Sequence, residues 1–329
     1  MAPALGLQPP ESGVEAGITA GMPACAAVAR LLLRLLDTVE LNVGGVLRDI
    51  DIEFLHDFRV AVRRTRSAIK LLGEVLPDDL ARQYSAEFKW LGDVTTPTRD
   101  LDVHLLGFDA TAGRLAAASP EDLEPLRGYL ARRRAREFRR LAAALRGPRF
   151  RAITDDWRKA LLKIRDADGP TTPTAAELAR STTGRAFRRI AAHGGRITPA
   201  SPPEALHDLR KRAKELRYLL EFFAPLHNPA AYRKALGDLK QLQDCLGEFQ
   251  DSQVQREEIH ALADAMLAER AAPAGTLLAM GEIAANLAAG QAEARADFAR
   301  RFARFTSPAA RHRIQALLAE PGDARAGGW

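Results

Sequence analysis

Leu55-His56-Asp57-Phe58-Arg59-Val60-Ala61-Val62-Arg63-Arg64-Thr65-Arg66 is the stretch that decides the fold. It returns 151 residues later as Leu206-His207-Asp208-Leu209-Arg210-Lys211-Arg212-Ala213-Lys214-Glu215-Leu216-Arg217. Residues three, four and seven apart share one face of an α-helix. His56, Arg59, Arg63, Arg66 and Lys70 keep that spacing, and His207, Arg210, Lys214 and Arg217 repeat it. One residue earlier runs an apolar stripe of Leu55, Phe58, Val62, Thr65, Ile69 and Leu72. Its copy is Leu206, Leu209, Ala213, Leu216, Leu220 and Phe223. One residue is about 100° of helix rotation. Each helix therefore offers a seam to a core and, beside it, a row of cations headed by a histidine. A solvated basic face would account for one such helix. It would not require the histidine and the cations to keep the same phase twice.

The repeat extends outward. Lys89-Trp90-Leu91-Gly92-Asp93 matches Lys240-Gln241-Leu242-Gln243-Asp244, and Asp100 and Val103 match Asp251 and Val254. A constant register over this length suggests a duplicated helical unit whose halves pack about a pseudo-two-fold axis. The chain has 329 residues, which fits two units, and 47% of them are hydrophobic, enough for each half to bury a core. Ala, Leu and Arg dominate and no period-2 runs stand out, so the expected fold is all-α, with two similar helical bundles. The expected divisions are a flexible leader over 1–22, a first repeat over 23–165, a linker over 166–174, a second repeat over 175–310 and a tail over 311–329. Pro77 should stop the first basic helix, and Thr95-Thr96-Pro97-Thr98 should interrupt the next. Gly44-Gly45 should weaken the end of the helix that starts near Pro23. Ser201 is the expected cap of the second basic helix, with Pro202 in its first position and Glu204 completing a capping box.

Net charge is +6 and the pI about 9.6, although 42 acidic residues are present. Nine arginines fall within 132–151, a patch that suggests a polyanionic partner. Two distant cysteines give no disulfide framework, so a reducing, cytoplasmic setting is expected. The N-terminus lacks the basic start and apolar run of a signal peptide. The longest leucine run, Leu31 to Leu33, is flanked by Arg30 and Arg34, so no membrane span is expected.

Stripe positions rise about 5 Å per step, so four or five cations span about 20 Å. Such a row suits a phosphate polymer, because guanidinium forks donate paired hydrogen bonds. Nucleic acid offers the same phosphates, but binders of single strands usually add aromatics for base stacking, and Tyr218 is the nearest candidate. A metal centred on His56 and His207 would want nearby carboxylates, whereas Asp57 and Asp208 point about 100° away. Those aspartates are expected to pair with arginines of a neighbouring helix. Arg99-Asp100-Leu101-Asp102 is the one acidic cluster that could serve catalysis. Gln250 and Gln253 replace Arg99 and Asp102 in the second copy. No catalytic residue, metal ligand or cofactor is therefore assigned, and no oligomeric state follows. Both histidines, crowded by cations, are expected to take up protons when a polyanion binds.

The paired pattern His-Asp-x-Arg-x-x-x-Arg-Arg-x-Arg and His-Asp-x-Arg-x-x-x-Lys-x-x-Arg-Tyr resembles the CHAD domain, a histidine-containing α-helical domain. Arg99-Asp100-x-Asp102-Val103 is similar to that family's second motif. The resemblance covers roughly 25–310. It implies a basic cavity between two helical repeats that binds inorganic polyphosphate, with granule localisation, storage or sensing as the role. It implies His56, Arg59, Arg63, Arg66, His207, Arg210, Lys214 and Arg217 as ligand-facing residues, with Lys70, Lys89 and Lys240 as additions. Other polyanions are further candidate partners. The strand-rich phosphohydrolase domain often joined to this family has no counterpart in the sequence.

Overall fold

Asp51 starts the first basic helix by accepting a hydrogen bond from the Glu53 N–H at 2.8 Å. That helix is one of eleven α-helices in the computed structural model, which describes residues 17–167 and 173–318. In chain order they are α1 (Ala24–Leu47), α2 (Ile52–Leu72), α3 (Asp78–Leu106), α4 (Phe108–Ala112), α5 (Glu124–Arg146) and α6 (Pro148–Arg165). Then follow α7 (Ala175–Gly194), α8 (Pro203–Phe222), α9 (Pro229–Ala268), α10 (Ala274–Phe305) and α11 (Pro308–Leu318). The described residues contain no strand, and no helix among them is long and apolar enough to cross a membrane.

The 151-residue shift recurs in the architecture: α7, α8 and α9 start that far after α1, α2 and α3. It also recurs in contacts. Ala24 N–H donates to the Pro173 carbonyl at 2.9 Å, and Ala175 N–H donates to the Met22 carbonyl at 2.7 Å. This small ladder ties the starts of α1 and α7 together and occupies the last residues expected to be a free leader. Ile18 is buried there.

Every residue of both apolar stripes is buried, from Leu55 to Leu72 and from Leu206 to Phe223. They do not fill separate cores. One cluster joins Phe58, Phe88 and Trp157 of the first half to Leu216, Phe222, Leu242 and Phe305 of the second. A second cluster, at the far ends of α3, α5, α9 and α10, again mixes the halves, with Leu101, Leu130, Ile259 and Met280. Each buried large apolar side chain contributes about 1.5–3 kcal/mol.

Several local expectations change. The helix α3 runs through Pro97 without a break. Pro97 leaves only the Asp93 carbonyl without its helical donor, and the turn before it is held by added bonds: Thr95 Oγ1 donates to Leu91 O and Thr96 Oγ1 to Gly92 O, both at 2.8 Å, and Arg59 donates to Gly92 O at 3.1 Å. Gly45 does not end α1. It lets the Phe54 ring lie on the helix, where a Cβ would come within 2.3 Å of the ring. Ser201 does not cap α8: Pro202 holds that position and Pro203 is the first helical residue. The Ser201 hydroxyl instead accepts from Thr198 N–H at 2.9 Å. The expected tail begins later than 311, because α11 buries Ile314 and Leu317 in the main core.

Candidate functional site

The helices α2 and α8 meet through Arg63 and Tyr218, Arg64 and Glu221, and Lys70 and Glu215. On one side of this junction lies an open cavity of about 1420 Å³, closed opposite by α9 and α10. Its lining carries six cations: Arg63, Arg64, Arg114, Arg210, Lys214 and Arg217. It also carries six carboxylates: Glu221, Asp244, Glu248, Asp251, Glu293 and Asp297. All of these cations but Arg114 stand on α2 and α8, and all of the carboxylates but Glu221 on α9 and α10, so the expected basic cavity is basic on one wall and acidic on the other. Helical phase identified the first wall but carried no information about which helices would face it.

The cations of the basic wall converge. Arg63 Nε donates to the Tyr218 hydroxyl at 2.9 Å. Arg210 pairs with Asp251 at 2.8 Å, and Arg217 and Arg64 share Glu221 at 2.6 and 3.1 Å. Lys214 has no hydrogen bond or ion pair among the described residues. Burial, with Arg210, Arg63 and Arg217 close by, pushes its amine down to about 8. Lys214 thus stands among Arg210, Arg63 and Arg217 with no carboxylate in ion-pair contact among the described residues, and Asp251 only partly offsets their field.

A family model for the CHAD domain matches residues 30–260. The chain belongs to the CHAD domain family. It is similar in fold to the crystal structure of the CHAD domain from the plant Ricinus communis, with a TM-score of 0.65, 24% identity, and 91% of this chain and 94% of that chain covered. It is also similar to PptA from Streptomyces chartreusis, with a TM-score of 0.65, 16% identity, and 85% and 99% covered. No curated protein sequence matches it. The CHAD family is associated with polyphosphate-related function.

Of the eleven residues the sequence marked in this CHAD domain, five line the cavity: His56, Arg63, Arg210, Lys214 and Arg217. Arg59 turns into α3, where it bonds to Gly92 O, Thr95 and Thr96. Arg66 lies exposed against Gly92, whose missing side chain makes room for it. Lys70 pairs with Glu215 at 2.6 Å and faces another cleft. Lys89 pairs with Asp93 on an exposed turn, and Lys240 is exposed without a partner among the described residues. His207 is not part of the lining.

The two CHAD histidines differ in what they can offer. Arg99 Nη2 lies 2.9 Å from His56 Nδ1. A guanidinium only donates, so Nδ1 accepts, the ring is neutral and its proton sits on Nε2. At the matching position Gln250 Oε1 lies 2.6 Å from His207 Nδ1. An amide oxygen only accepts, so His207 carries its proton on Nδ1. Among the described residues no group of three or more His, Cys, Asp or Glu side chains is placed to hold a metal ion.

The aspartates of the second motif have separate places. Asp102 is buried and accepts from Arg134 Nε at 2.9 Å, and Arg134 also clamps Asp49. Asp49 has a left-handed φ of 51° just after α1, the usual stop of a helix end. Asp102 therefore locks α3 to α5 and α1. Asp100 sits near Arg59, as its counterpart Asp251 does with Arg210. Asp208 pairs with Lys211 of its own helix, and Asp57 has no arginine within ion-pair distance among the described residues, contrary to expectation. The arginine patch lies on α5 and α6, away from the cavity lining, and Arg134 and Arg149 are spent on Asp49, Asp102 and Glu87. Sequence reasoning missed Arg64 and Arg114. Arg64 falls one residue off the stripe, and Arg114 follows the five-residue α4 with no periodic signal.

Proposed function

We propose that the α2 and α8 wall of the cavity binds inorganic polyphosphate and that the protein is a binding module without turnover. The observation that carries this reading is the unpaired Lys214 among Arg63, Arg210 and Arg217. A linear chain with about one charge per phosphate would meet these cations in succession and relieve their repulsion. The wall opposite would keep the chain on one side. Glu221 and Asp251 already serve Arg64, Arg217 and Arg210, which leaves them ill placed to hold a metal or activate water. Storage, sensing and localisation to polyphosphate granules are the roles such binding would serve.

Nucleic acid is the second reading, because the same cations suit its phosphates. The aromatic rings of the cavity disfavour it. Tyr218 stacks on Phe222 and Tyr232 on His227, so each has a ring partner already. A side-by-side titration against long polyphosphate, orthophosphate, single-stranded DNA, Mg2+ and Zn2+ tests the proposal. Long polyphosphate should bind far more tightly than the others, with no orthophosphate released on incubation with Mg2+. Equal affinity for orthophosphate and the long chain, or tighter binding of DNA, would overturn it.

A further inference from the structure

A second cleft, of about 480 Å³, opens on a different face of α8, against α7 and the end of α2. It shares no lining residue with the cavity. Three carboxylates line it, and each already has a cation. Glu215 pairs with Lys70 at 2.6 Å, Glu74 with Arg185 at 3.0 Å and Asp208 with Lys211 at 3.3 Å. Two cations remain over, Arg189 from α7 and Arg212 from α8. Neither has a hydrogen bond or ion pair among the described residues, and the Nε of Arg212 is buried without an acceptor. Their two charges are left without a counter-ion from the chain, which favours an anion supplied from outside it. Leu71, Ala186 and Leu219 give the cleft an apolar side.

We propose that this cleft is a separate ligand site for a compact organic phosphate monoester. Its two free guanidiniums match one phosphoryl dianion, and arginine holds such a group through paired hydrogen bonds. The volume lies in the range of small-molecule sites, and the apolar side takes the organic body. A phosphate polymer does not fit it. The surplus is two charges, and Glu74, Asp208 and Glu215 would repel every further phosphate. The site is independent of the polyphosphate reading, and each can fail alone.

Methyl NMR on the full chain, labelled at Leu and Ala, tests the site with phenyl phosphate as probe and inorganic phosphate as control. Phenyl phosphate should shift the methyls of Leu71, Ala186 and Leu219 saturably, with at least about fivefold higher affinity than inorganic phosphate, since the ring adds apolar contact. Arg189→Gln with Arg212→Gln should weaken it by about tenfold or more, the scale of losing charge-assisted bonds. Arg189→Gln alone, at an exposed residue, should give part of that loss in a protein whose core methyls are unmoved. Arg63→Glu with Lys214→Glu should leave phenyl phosphate binding intact. Unshifted methyls at these three residues, equal affinity in the arginine variants, or shifts confined to Leu236 and Leu287 of the cavity would each overturn the assignment.

Discussion

Lys214 should make polyphosphate binding depend on pH in a window where most proteins are insensitive. In the empty protein its amine titrates at about 8 rather than 10.5, lowered first by burial and then by Arg210, Arg63 and Arg217. A bound polyanion replaces that repulsion with attraction and returns the amine toward its ordinary range. Binding then takes up a proton, so affinity falls as pH rises through about 8. With full return to 10.5, proton linkage gives about a tenfold loss between pH 7 and pH 9, or about 1.4 kcal/mol. Lys214 keeps some solvent contact, which screens the field, so a loss of about three- to tenfold is expected. The stability of the empty protein should move the other way. Between about pH 8 and 10.5 the unfolded chain holds a proton that folded Lys214 has lost, so stability rises with pH over that window. Fluorescence anisotropy with labelled long polyphosphate, at fixed ionic strength and pH 7, 8 and 9, measures the first effect. Lys214→Arg stays charged throughout and should bind with a flat profile. A flat wild-type profile, or the wild-type slope retained in Lys214→Arg, would refute the reasoning.

Arg63→Glu with Lys214→Glu should leave a folded protein, because both apolar stripes are untouched, and should weaken long-chain binding about 100-fold or more; circular dichroism and anisotropy together check this. Glu221→Gln removes the anion that Arg64 and Arg217 share, so binding should tighten several-fold, and weaker binding would count against a site on this wall. Arg134→Ala leaves the Asp102 carboxylate buried without its partner and should cost about 3–5 kcal/mol in chemical denaturation; a loss below about 1 kcal/mol would contradict the structural role given to Asp102. Nitrogen-15 spectra of the imidazoles should show His56 protonated on Nε2 and His207 on Nδ1, and exchanging Arg99→Gln with Gln250→Arg should exchange the two patterns.

The apolar seam was legible in the sequence because burial follows helix phase. Leu55, Phe58, Val62 and their counterparts lie where a 3.6-residue period puts them. The same period placed Arg59 and Arg63 on one stripe, yet their guanidiniums part company, one to the Gly92 carbonyl and one to Tyr218. A side chain several bonds long chooses its partner from what the neighbouring helix presents, and phase along one helix is silent about that. The acidic wall escaped notice for the same reason: Asp244, Glu248 and Asp297 look like ordinary solvated positions until α9 and α10 are set opposite α8. Pro97 failed as a breaker because its loss is local, while Leu91 and Leu101 are buried on either side of it.

The ladder between Met22, Ala24, Pro173 and Ala175 has a consequence for how the chain can be divided. It staples the first residue of α1 to the first residue of α7, and the main core interleaves leucines from both halves. Cutting the chain between α6 and α7 would sever one covalent connection and none of this packing. Expressed alone, either half would present its leucine seam to water and draw in a partner. Mixed together, the two pieces should reconstitute one another, with the wall of Arg63, Arg210, Lys214 and Arg217 completed only at the moment α2 finds α8.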